Sequence, residues 1–99
     1  MSVSIRWTPD AINSFHRNIE YLQQDWSVKI GEDFIGRVDE ILTQIKVNPY
    51  LFPIHRPKDK IHRCVINTRI ILYYKIVDSG TIDLLLFWNT WQNPAKLNF

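Results

Sequence analysis

Residues 63–88 read RCVINTRIILYYKIVDSGTIDLLLFW, and this stretch decides the fold. Its β-branched and aromatic runs are separated by Asn67-Thr68 and by Asp78-Ser79-Gly80, which are connections of hairpin length. Together with the residues just before it, the stretch predicts three strands, Ile61–Ile66, Arg69–Val77 and Thr81–Trp88. We therefore expect an antiparallel meander in the C-terminal half of the chain.

Cations stand among these apolar runs. In the middle strand, the alternation places Ile70, Leu72, Tyr74 and Ile76 towards the core and Arg69, Ile71, Tyr73, Lys75 and Val77 on the opposite face. That opposite face is either a solvated open face of the sheet or a basic surface that meets an acidic partner. In the last strand, Leu84, Leu86 and Trp88 compete with Leu85 and Phe87 for the core.

Two helices are predicted upstream of this sheet. A short alternating strand over residues 3–7 leads to Thr8-Pro9-Asp10, where Thr8 can cap a helix and Pro9 suits its first turn. Asp25-Trp26-Ser27 interrupts the apolar repeat and begins a second helix, which Asn48-Pro49 ends. The first apolar face is Ala11, Phe15, Ile19 and Leu22, and the second is Ile30, Phe34, Val38, Ile41 and Ile45, widened by Ile35 and Leu42.

The short connection makes the two helices antiparallel neighbours that need a sheet to lie on. Gly31 and Gly36 weaken the second helix, and a close contact between the helices would explain both. Prolines 49, 53 and 57 predict an irregular segment over residues 49–60. The expected fold is α+β with the order β-α-α-β-β-β, in one domain spanning residues 1–99.

Composition narrows the possible functions. A chain of 99 residues with 45% hydrophobic residues can bury one core but cannot hold separate cofactor and substrate domains, so we expect a functional surface and no cofactor. No apolar run approaches the roughly 18 residues of a membrane span, and residues 1–15 lack a signal-peptide pattern. The single Cys64 fits a reducing compartment, so we expect a cytoplasmic protein. The three histidines are scattered, so no metal site is predicted.

Charge is divided unevenly along the chain. Residues 1–48 carry five cations and seven acids, whereas residues 49–99 carry seven cations and three acids. This division predicts an acidic partner for the C-terminal half, although chance or solubility would give the same pattern. Such a basic and aromatic set suits RNA and an acidic protein surface equally well, and the pattern alone slightly favours a third interpretation, a solvated open face of the sheet. The residues expected to form the target-binding surface are Arg56, Lys58, Lys60, Arg63, Arg69, Tyr73 and Lys75.

The order of elements resembles the RelE/ParE superfamily of toxins from type II toxin–antitoxin systems. The similarity covers residues 3–95 and rests on Asn48-Pro49 after the helices, Arg63 opening a strand, the run ILYYKI at residues 71–76, and Phe87-Trp88 before Gln92-Asn93-Pro94. The resemblance implies a compact α+β toxin, often linked to plasmid stabilisation. It also implies a cognate antitoxin that wraps the toxin and neutralises it in a hetero-oligomer.

The resemblance implies one of two activities. RelE-like members cleave mRNA on the ribosome, for which Arg63, Arg69 and Lys75 would be the catalytic cations. ParE-like members inhibit DNA gyrase by binding it. Trp88 stands where the superfamily often has a histidine, and no Tyr or His follows Tyr74. We therefore favour a ParE-like gyrase inhibitor; the alternatives are a ribosome-dependent endoribonuclease and a non-toxic interaction domain.

The C-terminal segment is aromatic for a chain terminus. We interpret residues 89–99 as a strap over the edge of the sheet. Trp26, Trp91 and Phe99 are candidate contacts for the antitoxin.

Overall fold

Two helices and a five-stranded sheet form the part of the chain that the structure describes. The structure is a computed structural model, and it describes residues 3–92 and 96–97. The elements are β1 (Ser4–Trp7), α1 (Pro9–Asp25), α2 (Val28–Val47), β2 (Ile54–Arg56), a 3-10 helix (Pro57–Asp59), β3 (Ile61–Val65), β4 (Ile70–Asp78) and β5 (Thr81–Asn89). The α+β prediction is confirmed. Neither helix in these residues is long and apolar enough to cross a membrane.

The sheet contains one strand more than the predicted order. Its strand order is β1-β5-β4-β3-β2, and all neighbours are antiparallel except β1 and β5, so it is mixed rather than a simple meander. The expectation of an irregular segment over residues 49–60 is wrong for residues 54–59. Ile54 pairs with His62, and Arg56 pairs with Ile61. A short edge strand tolerates flanking prolines because its outer side needs no N–H donors.

Both helices begin and end where the sequence predicts. The Thr8 hydroxyl accepts a hydrogen bond from the Ala11 N–H at 3.2 Å, and Ser27 accepts one from Ile30 at 3.1 Å. These bonds satisfy amides that the first turn of a helix leaves free. The second helix stops at Val47, before Pro49.

The buried stripe of α2 is narrower than predicted. Ile30 and Ile35 are 39% and 40% exposed. Ile35 lies about 100° around the helix from the buried Phe34, so it turns away from the face that meets the sheet. Gly31 fits the predicted close contact, since a Cβ there would come within 2.7 Å of Gln23 Cγ. The same prediction is wrong for Gly36, whose Cβ position has no neighbour within 4 Å. The buried residues of α2 are Gly31, Phe34, Val38, Ile41 and Ile45.

The main core lies between the helices and one face of the sheet. The predicted inner residues of β4 are all buried there, at 4% exposure or less: Ile70, Leu72, Tyr74 and Ile76. The Tyr74 hydroxyl donates a hydrogen bond to the Pro49 carbonyl oxygen at 2.7 Å. This bond ties the sheet to the segment that follows α2.

A β-bulge at Leu85 decides which residues of β5 face the core. Tyr74 lies opposite Leu84 and Tyr73 lies opposite Leu86, so Leu85 is the extra residue. One extra residue reverses the alternation of side chains between the two faces. Neither predicted set of core residues is therefore right as a whole. The main core takes Ile82, Leu84 and Phe87, and the other face takes Leu85, Leu86 and Trp88.

Two buried polar residues of α1 form hydrogen bonds with the outer edge of β5, in the part of the strand that β1 does not cover. The Ser14 hydroxyl accepts a hydrogen bond from the Phe87 N–H at 2.9 Å, and the Asn18 amide donates one to the Phe87 carbonyl at 3.0 Å. Buried backbone groups need such partners, and β1 pairs only with residues 81–84. The side chains of α1 therefore replace a strand at this edge.

A second apolar cluster covers part of the face away from the helices. Ile61, Tyr73 and Trp88 are buried in it, and Leu97 packs against it. The expectation that Tyr73 is exposed is wrong, since it is only 3% exposed. Leu97 places the segment after β5 on this face rather than at the sheet edge. Residues 93–95 and 98–99 of the predicted strap, which include Phe99 and the Asn93-Pro94 match, lie outside the described residues.

Gly36→Ala should raise the free energy of unfolding by about 1 kcal/mol, because alanine favours the helix and its methyl group meets no neighbour. Urea unfolding measures this gain. Gly31→Ala is the matched control, since it makes the same change in the same helix but must displace Gln23. We expect a clearly smaller gain or a loss there, and equal gains at both positions would contradict the close contact.

Candidate target-binding surface

Five of the predicted cations gather around the pairing of β2, β3 and β4. Ile61 of β3 lies between Arg56 of β2 and Lys75 of β4. Lys60 precedes Ile61, and its carbonyl accepts a hydrogen bond from the Ile76 N–H at 3.1 Å. The 3-10 helix carries Lys58 beside them, and Arg63 is exposed on β3. We call this set the basic face: Arg56, Lys58, Lys60, Arg63 and Lys75.

Most of the basic face keeps its positive charge unpaired. Arg56 pairs with Asp59 at 3.2 Å. Asp83, which lies opposite Lys75, is bound instead by Arg6 at 2.6 Å. Within residues 3–92 and 96–97, the other four cations of the basic face form no ion pair. Such a surface attracts acidic groups at long range.

An open apolar groove borders the basic face. Its volume is about 430 Å³, and Arg63 is the one charged residue among the described residues that line it. Ile54 and Val65 are 51% and 54% exposed, and Tyr50 just upstream is 70% exposed. Exposed apolar surface beside cations is typical of a protein-binding site. The lining residues are Phe52, Pro53, Ile54, Arg63 and Val65.

His55 is a candidate site residue that the sequence pattern does not reveal. The ring centroids of His55 and Tyr73 are 4.8 Å apart, with the planes at 64°. His55 belongs to β2, which stands in a segment expected to be irregular because of its prolines. Only recognition of β2 as a strand would have placed His55 near β4.

Burial changes the ionisation of three residues on β3 and β4. It raises the pKa of Tyr73, although the charge of Arg63 on the neighbouring strand lowers that pKa in part. Tyr73 is therefore a protonated phenol at neutral pH. On the inner face, burial raises the pKa of the Cys64 thiol to about 11 and also raises the pKa of Tyr74.

Arg69 does not join the basic face, in contrast to the prediction. Its guanidinium carbon lies 4.0 Å from the ring centroid of Trp26 and 4.7 Å from that of Trp91. Trp26 follows α1 and Trp91 follows β5, so these contacts hold Arg69 at the end of β4 away from Lys75. Cation–π attraction to two indoles explains why this arginine departs from the others.

A comparison of the sequence with known protein families gives one match across most of the chain. The model described as ParE toxin of type II toxin-antitoxin system, parDE, matches residues 5–94. No curated protein matches the chain.

Solved structures with the same fold also come from toxin–antitoxin systems. A chromosomal ParDE TA system from P. aeruginosa has a TM-score of 0.71 at 10% identity, covering 89% of this chain and 96% of that chain. The YoeB/ParE toxin from Agrobacterium tumefaciens has a TM-score of 0.63 at 12% identity, covering 88% of this chain and 98% of that chain. The YoeB-YefM complex from Staphylococcus aureus has a TM-score of 0.58 at 18% identity, covering 89% of this chain and 97% of that chain. At these identities the likeness shows a shared fold.

Cys64→Ala should reduce the loss of stability that occurs as the pH rises into the alkaline range. The folded pKa of about 11 exceeds the ordinary value of 9.0, so the thiol stabilises the fold below pH 9 and loses that contribution as the pH rises through 11. Between about pH 8 and about pH 10.5, the wild type should lose about 1–2 kcal/mol more in free energy of unfolding than the variant.

Urea unfolding at the two pH values measures this difference. The cavity left by the smaller side chain lowers stability at both pH values and cancels in the comparison. Tyr73 remains in both proteins, so its ionisation cancels as well. Besides burial, the charge of an ionised Cys64 raises the pKa of Tyr74, and the loss of that effect in the variant reduces its alkaline loss further, in the same direction. Parallel losses in the two proteins would show that burial does not suppress ionisation of Cys64.

Proposed function

Because the chain belongs to the ParE toxin family of type II toxin–antitoxin systems, we propose that it arrests growth by binding DNA gyrase through the basic face and the adjoining groove. The observation that carries this proposal is the position of Arg63, an exposed cation at the rim of an exposed apolar groove. A toxin that acts by binding needs apolar anchors beside charges that select the partner.

The surface would act through two kinds of contact. Arg63 can bind a target carboxylate with two parallel hydrogen bonds, and the lysines add attraction at longer range. Ile54 and Val65 would lose their exposed apolar area on binding, which supplies the non-directional part of the affinity. The second apolar cluster supports this arrangement, because Tyr73 is buried in it opposite Arg63 while Arg63 itself stays exposed.

We also propose that a cognate antitoxin neutralises this toxin in a hetero-oligomer. Two of the structures that share the fold are a ParDE TA system and a YoeB-YefM complex, which supports a protein partner for this chain as well. An antitoxin segment that covers the basic face would carry acidic residues, since it must replace the target's carboxylates.

Induced expression should relax the supercoiling of a reporter plasmid, measured on chloroquine gels. Arg63→Gln should weaken this effect about ten-fold or more, because the cation at the groove is lost. Lys29→Gln is the matched control, since it removes an exposed cation of α2 that is distant in sequence from the basic face. It should act like the wild type.

Normal supercoiling in growth-arrested cells would rule out gyrase as the target. An equal loss of plasmid relaxation in the Arg63 and Lys29 variants would rule out the basic face as the binding surface. Growth arrest that depends on Arg63, with folding intact by circular dichroism, would exclude the non-toxic interaction domain.

The contact between His55 and Tyr73 favours a second candidate function, a ribosome-dependent endoribonuclease. In such a reaction His55 would take the proton of a ribose 2′-hydroxyl, whose oxygen then attacks the adjacent phosphorus. The bond to the 5′-oxygen breaks, and that oxygen takes up a proton from water. Arg63 would stabilise the charge that develops on the phosphoryl oxygens. Trp88 supports no such role, because it is packed in the second apolar cluster.

His55→Gln should reduce mRNA cleavage on ribosomes about a hundred-fold or more if this second function holds, because the general base is lost. Primer extension on messages from induced cells measures the cleavage. His16→Gln, on an exposed position of α1, is the matched control and should cleave normally. Intact messages at the time of arrest would eliminate the nuclease and leave gyrase binding unaffected.

A further inference from the structure

Arg69 lies among aromatic residues at the end of the sheet away from the basic face. It stands in the connection between β3 and β4, and its guanidinium carbon lies over the rings of both Trp26 and Trp91. Trp26 and Trp91 are 50% and 64% exposed, and both rings contact this one cation. A guanidinium whose faces meet aromatic rings keeps its edge for hydrogen bonds.

The edge of Arg69 has no acceptor in the described part of the chain. Its Nε atom is buried without a hydrogen-bond partner, and Arg69 forms no ion pair within residues 3–92 and 96–97. The hydroxyl of Tyr21, whose ring contacts Trp91 at 5.9 Å, is also buried without a partner. A buried donor without an acceptor destabilises the fold, so native proteins seldom keep one. Two such donors in one region indicate a missing acceptor.

The groove beside Arg69 fits hydrocarbon side chains. It has a volume of about 290 Å³, and its apolar wall is Leu22, Ile30, Phe34 and Ile66. Two other charged residues line it, and both already have partners: Asp33 is 3.5 Å from Lys29, and Arg37 is 3.3 Å from Glu40. Arg69 is therefore the unpaired charge among the described residues of this groove.

We propose that Arg69, Trp26 and Trp91 form a carboxylate-binding site for an acidic side chain of a protein partner, with aliphatic residues on either side of that acid. The carboxylate binds in the plane of the guanidinium and accepts two hydrogen bonds from its two terminal Nη groups, since Nε is buried. The indoles keep water away from the ion pair, which strengthens it. The site is separate from the basic face and stands whichever target the toxin has.

Binding of two short peptides to the full chain tests this site. The peptides are acetyl-Leu-Glu-Leu-amide and acetyl-Leu-Gln-Leu-amide, which differ only in the carboxylate. At low ionic strength the glutamate peptide should shift the Arg69 Nε–H resonance in a saturable way and change the tryptophan fluorescence. The glutamine peptide should bind about ten-fold more weakly or worse, because it lacks the ion pair. Equal binding of both peptides, or binding of neither, would overturn the proposal.

Two variants and one competing anion sharpen the result. Arg69→Lys keeps the charge but loses the planar fork, and it should lower the affinity for the glutamate peptide about ten-fold. Lys46→Gln, an exposed cation at the end of α2, should leave the affinity unchanged. Inorganic phosphate that shifts the Arg69 resonance as strongly as the glutamate peptide would overturn the assignment to carboxylate. The comparison of the two peptides on the wild type decides the matter even if Arg69→Lys fails to fold.

Discussion

The arrangement of both sheet faces depends on the extra residue in β5, Leu85. In a regular strand, Leu84 and Phe87 would face opposite sides, because side chains alternate with a period of two. The bulge lets both enter the main core while Trp88 turns to the other face. It also directs the N–H and carbonyl of Phe87 to the side chains of α1, which hold the helix against the sheet.

The second apolar cluster follows from this bulge and determines where the charges lie. Tyr73 and Trp88 occupy the middle of the face away from the helices, so no cation can sit there. Arg63 and Lys75 remain towards the β2–β3 side, while Arg69 is at the opposite end of β4. The sheet thus carries two cationic regions with different chemistry, one on the face away from the helices and one beside the helices at the end of β4. The unpaired charges of the basic face attract acidic groups at long range, whereas the guanidinium of Arg69 lies against two indoles that exclude part of the water around it.

The sequence predicts those parts of the fold that depend on local signals. Thr8 and Ser27 cap their helices, and the inner residues of β4 are as expected, because capping and strict alternation act within a few residues. The bulge at Leu85 is beyond such signals, because every residue near it is apolar and fits either face. The position of Arg69 depends on Trp26 and Trp91, which only the folded chain brings near it. The contact of His55 with Tyr73 likewise requires β2 to pair with β3.

The outer edge of β3, which β2 covers only in part, links the fold to the proposed binding surface. β2 pairs with β3 at Ile61 and His62, and the Arg63 N–H donates to the Pro53 carbonyl at 2.9 Å. Val65 beyond them is 54% exposed. An exposed apolar edge invites pairing with other chains, and natural proteins usually cover it or protect it with charge. Here the cations of the basic face stand beside it, so two copies of the chain would repel one another at this edge. An acidic partner meets no such repulsion, and the same residues that oppose self-association therefore favour binding to a protein of opposite charge.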